Sequence, residues 1–145
     1  MSGAALASWQ FWAILSAVFA ALTAIFAKIG VAGINADLAT LIRTLIILAL
    51  IAGIVAATGQ WQSPASISSR SWIFLVLSGL ATGASWLCYF RALKIGEAAK
   101  VAPIDKLSVL LVAVIGVIFL GEKLSWANWL GIALIAAGAI LVAVK

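Results

Sequence analysis

The sequence predicts an all-α fold, an integral membrane bundle of five transmembrane helices. Three observations carry that reading. Hydrophobic residues make up 66% of the 145 residues and charged residues only 9%, against roughly 25% charged in an average soluble domain. The apolar residues gather into five stretches, each near the ~20 residues that cross a bilayer core at about 1.5 Å rise per residue. Inside hydrocarbon no water satisfies backbone N–H and C=O groups, so only helices or closed barrels can span it. These stretches are too long and too continuously apolar for the alternating, roughly 10-residue strands of a barrel.

The first helix is expected over Trp9–Ile29. Met1–Gln10 contains no Lys or Arg, and the apolar run exceeds the usual core of a signal peptide, so this stretch reads as a retained helix. The turn Gly30–Ala36 leads to a second helix, Asp37–Ala57, and the loop Thr58–Arg70 to a third, Ser71–Leu93. After Lys94–Lys100 comes the fourth, Val101–Leu120, with Pro103 close enough to its start to act as a first-turn proline. The turn Gly121–Ser125 precedes the fifth, Trp126–Val144. Gly96 and Gly121 sit in short turns, where ending a helix accounts for them. Residues 1–145 thus form a single membrane domain with nothing left over for a soluble one. The competing assignment makes one stretch re-entrant or interfacial.

Five spans put the termini on opposite sides. The N-terminal side, side A, also carries Thr58–Arg70 and Gly121–Ser125; side B carries the other two connections and the C-terminus. Lys28, Arg43, Arg91, Lys94, Lys100, Lys106 and Lys145 lie on or near side B, and only Arg70 and Lys123 on side A. The positive-inside rule favours a cytoplasmic C-terminus and an external N-terminus, in a prokaryotic-type plasma (inner) membrane. Trp9, Trp12, Trp61, Trp72, Trp126 and Trp129 all fall at side A, the level of an interfacial aromatic belt; only Trp86 lies well inside a helix. The net charge of +5 is explained by topology and lipid headgroups rather than by nucleic acid.

In the third helix Ser78, Thr82, Ser85 and Tyr89 recur at helical spacing and form one polar stripe. Such hydroxyls bond to the preceding turn, bond across to another helix, or face a wet cavity, and the last reading makes this a substrate pathway. Beside it, Gly79 and Gly83 permit close helix packing. A fainter stripe in the first helix, Ser16, Ala20, Thr23 and Ala27, reads first as packing. Charges are costlier, at about 2.5–3.5 kcal/mol for Lys, Arg or Asp at a helix centre. The long side chains of Arg43, Arg91 and Lys106 can snorkel to the headgroups. Asp105 cannot reach far, so it pairs with Arg43, Arg91 or Lys106 or faces water, as a structural pair or as a gating or coupling carboxylate. Neighbours on a helix point roughly 100° apart, so Asp105 and Lys106 are not expected simply to neutralise each other.

Enzymatic equipment is absent from this pattern. There is no His, Cys88 has no ligand companions, and no phosphate-cradling glycine motif follows a strand. No catalytic residue, metal or cofactor is implied.

From Tyr89 onward the chain reads Tyr89-Phe90-Arg91-Ala92-Leu93, Gly96, Ala102-Pro103, Leu120-Gly121-Glu122-Lys123-Leu124, then Gly131 and Gly138. This series resembles the EamA family of the drug/metabolite transporter superfamily, and the arginine of the second helix fits too. The resemblance covers essentially the whole chain as one repeat. It implies secondary transport of a small metabolite or drug-like solute by alternating access. Many relatives carry two five-helix repeats of opposite orientation, so pairing into a homodimer, or with a related five-helix subunit, is expected here. Many also have a proline near the middle of the fourth helix, where this chain has Ser108-Val109. The alternative from a different class is a non-transporting membrane subunit whose polar stripe only joins helices.

Single cysteines placed at Ala32, Ser66, Gly96 and Lys123 should react with an impermeant thiol reagent from alternate sides of the membrane. Any other order of sidedness defeats the five-span arrangement.

Overall fold

Five helices long and apolar enough to cross a membrane run through the described residues, 8–144, of this computed structural model. Lys145, counted above with the side B cations, lies outside the described residues. The elements are α1 (Trp9–Val31), α2 (Ala36–Ala57), a 3₁₀ turn (Pro64–Ser66) and α3 (Ser69–Ile95). A fourth span follows in pieces, α4 (Ala98–Asp105), α5 (Ser108–Ile115) and a π-helical turn (Gly116–Leu120), and then α6 (Trp126–Ala143).

Local chemistry sets the boundaries. The Asn35 carboxamide oxygen accepts from the Asp37 and Leu38 amides at 2.8 and 3.2 Å, so two orphan donors of α2 are satisfied at its start. Ser125 and Asn128 cap α6 reciprocally: the Asn128 amide donates to Ser125 Oγ at 3.3 Å, and the Ser125 amide to Asn128 Oδ1 at 2.9 Å. At the end of α2 Gly59 takes φ +65°, a left-handed conformation. Gly96 takes no such conformation; the left-handed glycines among the described residues are Gly59 and Gly121.

The chain divides into two compact units, Ala27–Lys94 and the remainder. Within Ala27–Lys94, buried residues come from the last turn of α1 (Ala27, Val31), the first turns of α2 (Ala36, Ala39, Thr40) and the last turns of α3 (Phe90, Leu93). The alanines let backbones approach closely, as membrane helices do where lipid gives no hydrophobic drive to associate. Two lysines reinforce this end. Lys28 Nζ donates to the Leu93 carbonyl at 2.6 Å, and Lys94 Nζ to the Ile34 carbonyl at 2.7 Å. Leu93 lies in the last turn of α3, where carbonyls have no helical partner. In the other unit α6 packs along α4 and α5, with Ala113, Gly116 and Ala139 buried. Most of the large apolar side chains, such as Leu45, Ile46 and Leu48 on α2 or Phe74 and Leu75 on α3, are exposed, as a lipid solvent requires.

The fourth span departs from the continuous helix expected over Val101–Leu120. Its helix begins at Ala98, which puts Pro103 in the sixth position rather than the first turn. Proline there offers no N–H and its ring crowds the preceding turn, and α4 ends two residues later. The Lys106 amide is shared between the Ala102 and Pro103 carbonyls at 3.3 and 3.1 Å, and Leu107, Val109 and Leu110 donate to residues three back. These are tighter, 3₁₀-type bonds that join α4 to α5 through an irregular turn. The break therefore falls just before Ser108-Val109.

The span's other end closes on Gly121, at φ +69° and ψ 22°, with the Glu122 amide donating to the Gly116 carbonyl at 3.2 Å. Glu122 folds back so far that a Cβ at Gly116 would sit 2.7 Å from its Oε2. Gly121→Ala should lower the stability of the detergent-solubilised protein by ~1 kcal/mol, because a side chain is strained at positive φ. Gly116→Ala meets the movable end of a side chain and should cost less. Melting temperatures of the two variants check the order.

Candidate functional site

Helix α3 presents its four polar residues as expected on one face: Ser78, Thr82 and Ser85 are exposed and Tyr89 is half-buried. Of the four threonines outside the stripe, three bond back to the preceding turn and Thr23 does not. Thr40 donates to the Ala36 carbonyl at 2.9 Å, Thr44 to Thr40 at 2.8 Å and Thr58 to Ile54 at 2.8 Å. Ser78, Thr82 and Ser85 make no hydrogen bond of any kind through their hydroxyls among the described residues. Of the three outcomes open to a membrane hydroxyl, back-bonding to the same helix is therefore not the one these residues take. Ser16 and Ala20 of the fainter stripe are exposed, Thr23 half-buried and Ala27 buried.

The stripe ends against an aromatic cluster. The Tyr89 ring meets Trp86 edge-on at 5.8 Å between centroids, and the buried Phe90 lies 6.0 Å from Trp86 at a tilt of 54°. On the Trp86 face sits the Arg43 guanidinium, its Cζ 3.3 Å from the ring centroid and 5.8 Å from that of Phe90. Cation–π contacts contribute about 0.5–2 kcal/mol, more as water is excluded. Snorkelling was the simplest expectation for Arg43; the structure instead turns it sideways onto α3. The available signal was Trp86, the one tryptophan far from any helix end.

Arg91 finds an acid that the sequence reading did not single out. Its Nε donates to Asp37 Oδ1 at 3.0 Å and its Nη2 to Oδ2 at 2.9 Å, a bidentate fork. Both side chains are at least half exposed, so water and salt screen the pair. At a membrane surface its larger effect is to cancel two charges near the ends of antiparallel neighbours. That equal depth, Asp37 at the start of α2 and Arg91 near the end of α3, was the sequence clue.

Asp105 pairs with Lys106, Nζ to Oδ2 at 3.1 Å. Uniform helical geometry argued against this neutralisation. It forms because α4 ends at Asp105, so the two residues do not share a regular helix, and the long lysine chain bends back. Each side chain stays more than a third exposed. Lys28 and Lys94 are engaged by carbonyls, as described above. Around Gly79 and Gly83, read as packing points, and around Gly131 and Gly138, there is open space for a Cβ. Among the described residues no group of His, Cys, Asp and Glu is arranged to hold a metal ion, and Cys88 is an exposed thiol.

Residues 7–144 match the family model described as the EamA-like transporter family. Among curated proteins, the "Uncharacterized transporter in cobO 3'region" of Sinorhizobium sp is 72% identical over 137 residues, covering 94% of this chain and 97% of that protein. No solved structure matches the chain.

The Asp37–Arg91 fork makes a reciprocal test possible. Asp37→Asn should reduce the folded fraction recovered by size-exclusion in detergent, since it leaves Arg91 without its counter-charge at the helix end. Exchanging the two, Asp37→Arg with Arg91→Asp, should restore much of it. A double variant no better than the single ones would mean that the pair does not hold α2 to α3.

Proposed function

The chain belongs to the EamA-like transporter family, and on that premise we propose that it moves a small metabolite or drug-like solute across the membrane by alternating access. Transport rather than catalysis is the family's activity. The stripe Ser78, Thr82, Ser85 and Tyr89 lines the path in this reading. The observation that carries it is the three exposed hydroxyls that decline the back-bonds Thr40, Thr44 and Thr58 all make. A solute entering hydrocarbon sheds water, and outward-facing donors and acceptors replace part of that hydration.

The interruption between α4 and α5 supplies the moving part. Irregular backbone at membrane depth is tolerated where it is covered by protein or lines a wet cavity, and broken helices mark binding regions in many transporters. We assign gating or coupling to Asp105 and Lys106 at this break, with Arg91 and Arg43 as the charges near the same membrane side by span order. A partly exposed ion pair such as Asp105–Lys106 opens at small cost. The open faces at Gly79–Gly83 and Gly131–Gly138 support pairing with a second copy or a related five-helix subunit. Opposed copies would reproduce inverted-repeat symmetry; the basic bias towards side B favours a shared orientation in the plasma (inner) membrane, N-terminus outside.

Flux in proteoliposomes tests the reading. Tyr89→Phe and Thr82→Val should each slow solute uptake at unchanged protein abundance, while Thr44→Val, whose hydroxyl only bonds its own helix, should not. Asp105→Asn should cut flux strongly with folded protein intact; a loss of folded yield instead would mark a structural pair. No flux across a broad panel of metabolites and drugs, with protein folded, would favour a non-transporting assembly subunit.

A further inference from the structure

Arg43 lies at membrane depth in the Ala27–Lys94 unit, held by ring faces, and gives no donor to a protein oxygen. Lys28 and Lys94 bond carbonyls, and Arg91 occupies both oxygens of Asp37. Arg70 stands 6.0 Å from the Phe74 ring beside the side A loop, where water is at hand. Arg43 is the eighth residue of α2, ~10 Å along the helix from its start. The ring it stacks on belongs to Trp86, ~13 Å from the end of α3. These ends lie on the same side, so the guanidinium is carried across to α3 at membrane depth and not outward to the headgroups.

A Cζ 3.3 Å from the ring centroid leaves no room for an N–H pointing into the ring, so the guanidinium must lie close to parallel with it. A stacked guanidinium keeps its N–H donors in its own plane, directed past the ring edge. Within the described residues no carboxylate, carbonyl or hydroxyl accepts from them. The Trp86 face thus attracts the charge and fixes the fork while leaving its hydrogen-bond donors unused. Tyr89 touches the same indole, and Ser85 lies one turn before Tyr89 on the stripe, so the fork borders the proposed path. The Gly79–Gly83 strip leaves open space on the same helix.

We propose that Arg43, held flat on Trp86, is the point that binds the anionic group of the solute, and that the solute class is a small organic carboxylate. This rests on the transport reading above and adds its charge. A bidentate carboxylate satisfies two of the in-plane donors and neutralises a charge otherwise costly at this depth. The same chemistry would accept a lipid phosphate, so the test separates the two sources.

The full chain in phosphatidylcholine nanodiscs is melted with benzoate or succinate and, at matched ionic strength, with their neutral counterparts benzamide and succinamide. The carboxylates should raise the melting temperature by the linkage of binding to folding, and the amides should not. Arg43→Gln should abolish the shift. Arg43→Lys keeps the charge but loses the fork, and should weaken carboxylate binding roughly tenfold; it serves alone if the glutamine variant does not fold. Equal response to amides, no response to either carboxylate, or an undiminished response in Arg43→Lys would overturn the assignment. So would phosphatidylglycerol in the nanodisc stabilising the wild type through Arg43 and erasing the carboxylate effect, which would make the site a headgroup site. Flux distinguishes failures: transport of a neutral or cationic solute indifferent to Arg43→Gln leaves transport standing and defeats the anion site. A carboxylate shift without flux does the reverse.

Discussion

A backbone amide inside hydrocarbon has no water to fall back on, and much of this chain is arranged around that shortage. Long helices answer it along their length, but every helix end and every interruption reopens it. The ends are met one at a time: Asn35 and Ser125 supply oxygens to starting amides, and Lys28 reaches the carbonyl of Leu93 in the last turn of α3. At the turn after α1, Lys94 reaches the carbonyl of Ile34. Beyond Pro103, where α4 gives out, the ladder continues through bonds three residues back. At the far end of the same span a π-helical turn and a left-handed glycine bring the Glu122 amide to the Gly116 carbonyl.

The same shortage governs the charges. An ion in or near the bilayer must be paired, bonded or stacked, and the described cations divide accordingly. Arg91 takes a carboxylate, Lys106 its own neighbour's carboxylate, and Lys28 and Lys94 take carbonyl oxygens. Arg43 takes the face of an indole, which attracts the charge yet leaves the hydrogen-bonding edge unoccupied. The first four donate to protein oxygens and Arg43 does not, which on the reading proposed above leaves its donors for a ligand.

Span number and placement were legible in the sequence because length and apolar continuity alone dictate them, and the helices begin and end within about three residues of the expected points. Gly121 was legible too, since few residues tolerate its conformation. The break after Asp105 was not. A proline six residues into a helix can be tolerated or disruptive, and the expected start at Val101 had moved it into the harmless first turn. Ala98–Lys100, with a charge at Lys100, looked like loop by hydropathy yet completes the first turn of α4. Asp37 was hidden by its position at a helix start, where an acid is ordinary, and its partner lies 54 residues away. The stripe on α3 was visible as a pattern, but its lack of back-bonds, shared with Ser16 and Thr23, depends on rotamers that no spacing encodes.

The Lys28 clasp has a consequence for how the protein comes to be made. Its acceptor, Leu93, lies 65 residues further along the chain, so α1 is synthesised and inserted well before the bond can exist. With the N-terminus outside, as proposed above, the ammonium is available during that interval to the anionic cytoplasmic leaflet, where each such charge is attracted by about 1 kcal/mol. The same side chain can thus moor the first helix during biogenesis and later release the lipid to fasten α3. Folding of this end would then be a change of partners by one lysine, and a bilayer poor in anionic lipid would be felt first in insertion order, not in the finished structure.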